Sequence, residues 1–93
     1  MENLYTVVIE PSATGYGAYS PDVPGCIAAG TTVEETLTLF REALMLHLED
    51  LVGTGVPLPE AHGIALHWKT NRPSPKDLIA FIPVEEVAPK MPA

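Results

Sequence analysis

The sequence is poor in cysteine and in basic residues, and each shortage excludes a class of protein. A single cysteine, Cys26, cannot form an internal disulfide, which excludes a disulfide-stabilised secreted scaffold and fits a reducing compartment. Five basic side chains against 12 acidic ones give a net charge of −7. That balance disfavours binding of this chain alone to duplex DNA.

The chain also lacks a long apolar run. No segment approaches the roughly 20 apolar residues of a membrane-spanning helix, and residues 1–20 lack the basic start and apolar stretch of a signal peptide. We therefore expect a soluble, cytoplasmic protein. Its charge is uneven, because residues 1–60 hold nine acidic side chains and one basic one, whereas residues 61–93 hold three and four.

A proline-bounded loop, residues 20–25, is the most distinctive feature that is present. Pro21 and Pro24 fix φ and remove two backbone donors, and Gly25 permits a positive φ, so we predict a stiff turn between two strands. Asp22 lies between the prolines. It is either a turn residue that accepts hydrogen bonds from nearby backbone N–H groups, or a solvent-facing recognition or catalytic acid.

Apolar alternation predicts the strands. Residues 4–10 place Tyr5, Val7 and Ile9 on one face, which indicates a strand with one buried side. Residues 16–20 and 26–29 complete an antiparallel meander, and residues 78–82, running into Pro83, form a returning strand that pairs with it. The expected fold is α+β, with the order β-β-β-α-β.

One long helix follows the meander. Thr32 and Glu35 have the spacing of a capping box, residues 33–52 contain no glycine or proline, and Gly53 ends the run. An apolar stripe on this helix should form the core against the sheet, and it comprises Val33, Leu37, Phe40, Leu44, Leu48 and Leu51.

The opposite helix face combines carboxylates with two leucines. Leu39 and Leu46 are either incidental surface residues or part of a contact stripe for an apolar groove rimmed by Lys or Arg. The candidate partner-binding residues are Asp22 on the loop and, on the helix, Glu35, Leu39, Glu42, Leu46 and Glu49.

The remaining segments give weaker signals. Ile64, Leu66 and Trp68 alternate with polar or small residues and could form an edge strand or a helical turn. Residues 85–93 are predicted to be a flexible tail. We expect one domain, with a core over about residues 3–84.

The sequence gives little support for a catalytic site or a metal-binding site. The spacings of His47, His62 and His67 fit no standard zinc pattern, and Cys26 has no histidine or basic residue within 14 positions on either side. We predict no catalytic residue, no metal and no cofactor, and packing as the role of Cys26.

The motifs as a group resemble the HicB family of antitoxins. The resemblance covers residues 4–60, and again 78–84, through Tyr19, Pro21, Asp22, Pro24, Gly25, Cys26, Gly30, Thr32 and Glu35. It implies a partial RNase H-like fold without nuclease activity, and a function in binding and masking HicA, a small basic toxin that cleaves mRNA. Many HicB chains continue into a DNA-binding domain, which we do not expect in this chain.

The prediction is therefore a non-enzymatic antitoxin of a type II toxin–antitoxin system. The alternative is a small cytoplasmic ligand-binding or enzymatic domain with a pocket at residues 21–26. We also predict a homodimer or a higher homo-oligomer, because a small sheet leaves edges to pair. No direct contact with nucleic acid or membrane is expected.

Overall fold

The computed structural model describes residues 3–63 and 74–89. They form a four-stranded antiparallel sheet of order β3-β2-β1-β4 and one long helix. The elements in chain order are β1 (Leu4–Pro11), β2 (Tyr16–Tyr19), β3 (Ile27–Gly30), α1 (Val33–Gly53), β4 (Leu78–Pro83) and α2 (Val84–Val87). The predicted α+β class and the meander, helix and returning strand are confirmed.

The first strand, β1, is central, and both of its faces are buried. The alternation predicted one buried side, but Thr6 and Val8 on the second face are as inaccessible as Tyr5 and Val7. The register explains the difference, because Val8 lies opposite Tyr19 on β2 and Ile79 on β4. Side chains on both neighbouring strands therefore shield this face.

The long helix α1 packs its predicted stripe against the sheet. Phe40, Leu44 and Leu48 are fully buried, and burying each contributes about 1.5–3 kcal/mol. Val33, Leu37 and Leu51 are partly buried against the same core. No helix among the residues that the structure describes is long and apolar enough to cross a membrane.

The chain after β4 contributes to the core, which corrects the first part of the predicted tail, residues 85–87; residues 90–93 lie outside the described residues. The short helix α2 follows Pro83, its Val87 is 2% exposed within the core, and the Glu86 carboxylate accepts a hydrogen bond of 2.5 Å from Arg41 on α1. An apolar side chain four residues beyond Pro83 is enough to anchor this turn. The alternation predicted at Ile64, Leu66 and Trp68 lies outside the described residues.

Candidate functional site

The proline loop is closed by its own backbone. The N–H of Val23 donates to the Ser20 carbonyl oxygen at 3.3 Å, and the N–H of Cys26 donates to the Val23 carbonyl oxygen at 3.3 Å. The N–H of Asp22 donates to Ser20 Oγ at 3.1 Å. Gly25 has a φ of 89°, a region that favours glycine, so it makes the last step of the turn without strain. These contacts confirm the predicted tight connection.

The Asp22 carboxylate ties this loop to two distant segments. Asp22 Oδ2 accepts from the backbone N–H of Thr6 at 2.9 Å, and Oδ1 accepts from the backbone N–H of His62 at 2.8 Å. The side chain is only 5% exposed. Because β2 pairs with β1 only from Val8 onward, the carboxylate satisfies a donor that the ladder leaves open.

Tyr5 makes a second tie to the segment after the helix. Its hydroxyl donates to the Pro59 carbonyl oxygen at 2.8 Å. Burial, followed by the nearby charge of Asp22, raises the pKa of Tyr5 above its ordinary value. Together with the His62 contact, this bond fixes residues 59–62 against the sheet.

Asp22 therefore acts through packing and hydrogen bonding within the chain. The carboxylate accepts from backbone N–H groups, but these are 16 and 40 residues away, so it joins distant segments and does not close its own turn as the sequence suggested. Its burial leaves little surface for another molecule, so the contact with a partner that the sequence suggested for Asp22 is not carried forward.

Cys26 packs at the end of the same loop. Its side chain is 5% exposed within the core, and burial raises the pKa of the thiol. A protonated, enclosed thiol is a poor nucleophile. Two cavities formed by described residues, of about 450 and 330 Å³, lie elsewhere, and residues 21–26 line neither of them.

The first turn of α1 is capped almost as predicted. Thr32 Oγ1 accepts from the Glu35 N–H at 3.0 Å. The Glu35 carboxylate, however, accepts from the N–H of Thr31 at 3.0 Å rather than from that of Thr32. Gly30 leaves room for the Glu35 carboxylate, because a Cβ there would lie 3.0 Å from Glu35 Oε1 and 2.7 Å from Thr36 Oγ1. The motif of residues 30–35 thus joins β3 directly to the helix.

The exposed face of α1 carries the remaining predicted contact residues. Leu46 is 67% exposed and Leu39 is 39% exposed. The carboxylates around them are also exposed, and they belong to Glu35, Glu42, Glu49 and Asp50. We call this surface, Glu35, Leu39, Glu42, Leu46 and Glu49, the acidic helix face.

No basic side chain projects among these carboxylates from α1 itself. Arg41 is the only basic residue of the helix, and it pairs with Glu86 on the flank that faces α2. Within residues 3–63 and 74–89 there is also no group of three or more His, Cys, Asp or Glu side chains that could hold a metal ion. The face therefore presents negative charge and apolar surface together.

Comparison with known proteins gives the family. Residues 5–89 match the model of the HicB-like antitoxin of bacterial toxin–antitoxin systems. The chain belongs to this family. A 14.9 kDa protein from the rep-hol intergenic region of Haemophilus phage HP1 is 35% identical over 79 residues, which cover 85% of this chain and 58% of the phage protein. This HicB-like chain thus spans little more than half the length of that relative.

Other relatives and solved structures are also similar to this HicB-like chain. A UPF0150 protein of Synechocystis is 37% identical over 57 residues, covering 60% of this chain and 72% of that protein. A structure described as a HicA3 and HicB3 toxin–antitoxin complex matches with a TM-score of 0.67 and 28% identity, covering 84% of this chain and 93% of that one. The antitoxin HicB of Burkholderia pseudomallei shares the fold, with a TM-score of 0.75 at 21% identity, over all of this chain and 70% of that one.

Sequence reasoning missed several residues that hold the site together. The donors to Asp22 are backbone groups of Thr6 and His62, which carry no side-chain signal. The Tyr5 bond to Pro59 was also missed, although an aromatic hydroxyl in a buried stripe usually needs a partner. The usual need of a buried tyrosine hydroxyl for a hydrogen-bond partner was the one feature of the sequence that could have indicated this bond.

Proposed function

We propose that this HicB-like antitoxin binds a small, basic, mRNA-cleaving toxin of the HicA type and masks its working surface. Membership of the family supports the antitoxin role. The related structure described as a HicA3 and HicB3 complex supports a toxin as the partner. The net charge of −7 supports a partner of opposite sign.

The observation that carries this proposal is the acidic helix face. Glu35 and Glu49 lie 14 residues apart, so the face runs for roughly 21 Å along the helix. Leu39 and Leu46 supply apolar area between the carboxylates, and Leu46 is 67% exposed. An apolar centre within a charged rim is the usual composition of a protein–protein interface.

The proposed function does not require the chain to catalyse a reaction. The two most reactive-looking groups of the proline loop are engaged in the fold, Asp22 by two N–H donors and Cys26 by burial. Masking needs surface complementarity and no catalytic group. A cytoplasmic location belongs to the same proposal, because a toxin that cleaves mRNA acts where mRNA is translated.

Titration of the purified chain against a HicA-type toxin tests the proposal. Glu42→Lys places a positive charge in the centre of the acidic helix face, so it should weaken binding at least tenfold at low salt. The loss should shrink as ionic strength rises, because screening removes the charge interaction. Calorimetry at two salt concentrations measures both effects.

Glu10→Lys is the matched control. It makes the same change in net charge, but Glu10 is exposed and alternates with the core residue Ile9, so it lies on the face of the sheet turned away from the helix. It should leave the affinity within about twofold at physiological salt, where the Debye length is about 8 Å. Equal effects of the two substitutions would mean that only net charge matters and that the face is not the contact.

We also propose that the chain self-associates. A 93-residue chain is small, and its sheet ends in two strands, β3 and β4, each paired on one side only within the described sheet. Two-fold dimers are the commonest closed oligomers, and pairing two such edges would cover both of them. Sedimentation equilibrium across a range of concentrations tests this, and a monomer throughout that range would contradict it.

A further inference from the structure

The two edge strands of the sheet differ in how well they are protected. The edge strand β4 ends in Pro83, follows Lys76 and Asp77, and precedes two glutamates. Charges and proline are the devices that usually block pairing at an edge. The edge strand β3 is short, at four residues, but its sequence, Ile-Ala-Ala-Gly, contains neither a charge nor a proline.

The sequence around β3 is also uncharged, and the Glu35 carboxylate lies only at its Gly30 end. Residues 23–33 contain no Asp, Glu, Lys or Arg, in a chain whose net charge is −7. The strand itself therefore offers a basic partner no carboxylate to pair with. A second copy of this chain, which carries the same negative charge, meets the least repulsion there.

Ile27 marks this edge as apolar. Its side chain is 73% exposed, more than any other large apolar side chain among the described residues. It lies opposite Tyr19, which in turn lies opposite Val8, so it belongs to the face of the sheet turned away from α1. The helix therefore does not cover it.

We propose that β3 pairs antiparallel with β3 of a second copy about a two-fold axis, which gives a continuous eight-stranded sheet. This inference rests on the self-association proposed above and assigns its surface. An antiparallel strand is complementary to itself about such an axis, so one surface serves both copies.

The charges at the ends of β3 fit this arrangement. Glu35 is held by Thr31, just beyond the Gly30 end of the strand. Antiparallel pairing places this end beside the Ile27 end of the other copy, so the two Glu35 side chains lie at opposite ends of the seam. Four residues span roughly 13 Å, which exceeds the Debye length of about 8 Å at physiological salt.

Sedimentation equilibrium of two matched variants tests the inference. Ile27→Glu and Phe81→Glu each add one negative charge at an exposed apolar position on an edge strand, and Phe81 is 49% exposed on the same face of the sheet. We expect Ile27→Glu to raise the dimer dissociation constant at least tenfold and Phe81→Glu to change it less than twofold. Circular dichroism confirms that both variants fold.

The remaining outcomes of the sedimentation experiment can be told apart. A wild-type monomer at every concentration would remove the self-association itself. A dimer that Ile27→Glu leaves intact would overturn only the assignment to β3. Disruption by both variants would instead place the contact on the open face of the sheet, and would also overturn the inference.

A cross-linking measurement tests the register. Rotation about an axis perpendicular to the sheet keeps each side chain on the same face of the sheet. Directly paired residues also share a face, so the residue at the axis, Ala28 or Ala29, must pair with the same residue of the second copy. With diamide as the oxidant that accepts the two thiol hydrogens, either Ala28→Cys or Ala29→Cys should form a disulfide-linked dimer. Phe81→Cys and the wild type, with its buried Cys26, should not. Failure of both alanine variants would contradict the seam.

Discussion

Asp22 and the glutamates of α1 are carboxylates placed in opposite surroundings. Asp22 is 5% exposed and accepts two backbone N–H groups, whereas Glu42 and Glu49 lie on an exposed helix face. The first carboxylate is enclosed by the segments that it joins, and the others face outward. The comparison teaches that an acidic residue between turn-forming prolines serves the fold, whereas acids around exposed leucines on a helix are available to a partner.

The largest expected effect comes from removing the buried carboxylate. Asp22→Ala leaves the N–H groups of Thr6 and His62 without their acceptor, so we expect a loss of about 2–4 kcal/mol in the free energy of unfolding. Urea denaturation measures this. Glu42→Ala, on the exposed face, should change stability by no more than about 0.5 kcal/mol.

Measuring toxin affinity also separates the buried Asp22 from the exposed glutamates of α1. The folded fraction of the Asp22→Ala variant should bind toxin as tightly as the wild type does. A variant of normal stability that bound toxin weakly would place Asp22 in the interface and break the comparison.

An intermediate effect is expected at Tyr5, and it depends on pH. Tyr5→Phe removes the bond to Pro59 and should cost about 1 kcal/mol at neutral pH. Because burial raises the pKa of Tyr5 in the folded state, the unfolded chain ionises first as the pH rises, and the wild type loses stability above about pH 10.

The phenylalanine variant lacks this loss. The stability gap between the two proteins should therefore narrow from pH 8 to about pH 11. Burial of Cys26 acts in the same direction, but equally in both proteins, so it cancels in the difference. A gap that widened with pH would contradict the buried position of the hydroxyl.

The smallest expected effect separates two glutamates of the acidic helix face. Glu35 also holds the N–H of Thr31, so Glu35→Gln should lower stability by about 0.5 kcal/mol as well as toxin affinity. Glu42→Gln should lower affinity alone. Thermal unfolding and calorimetry of both variants check this, and equal stability losses would show that the Thr31 contact is not specific.

The sequence predicted the parts of the fold that depend on local patterns. Alternation at residues 4–10 and the spacing of Thr32 and Glu35 identified a strand and a helix start that the structure contains. Contacts between distant backbone groups leave no such pattern, so the acceptors of Thr6 and His62 could not be predicted. The burial of Val87 was missed because one apolar residue in a proline-rich segment is a weak signal.

The acidic helix face was also identified from the sequence, since helical periodicity alone separates it from the core stripe. Its exposure in the structure agrees with that separation. The partner itself is chosen by surface chemistry between two chains, which one sequence does not encode by any pattern.

The position of β1 has a consequence for biosynthesis. This strand is synthesised before the other described strands, yet its pairing is completed only when β4, which pairs with it along Leu4–Ile9, has been made. Until then only the end of β1 that pairs with β2 is satisfied, and the other edge of this apolar strand is exposed to chaperones and proteases. Completion of the sheet therefore requires translation to continue through residue 83.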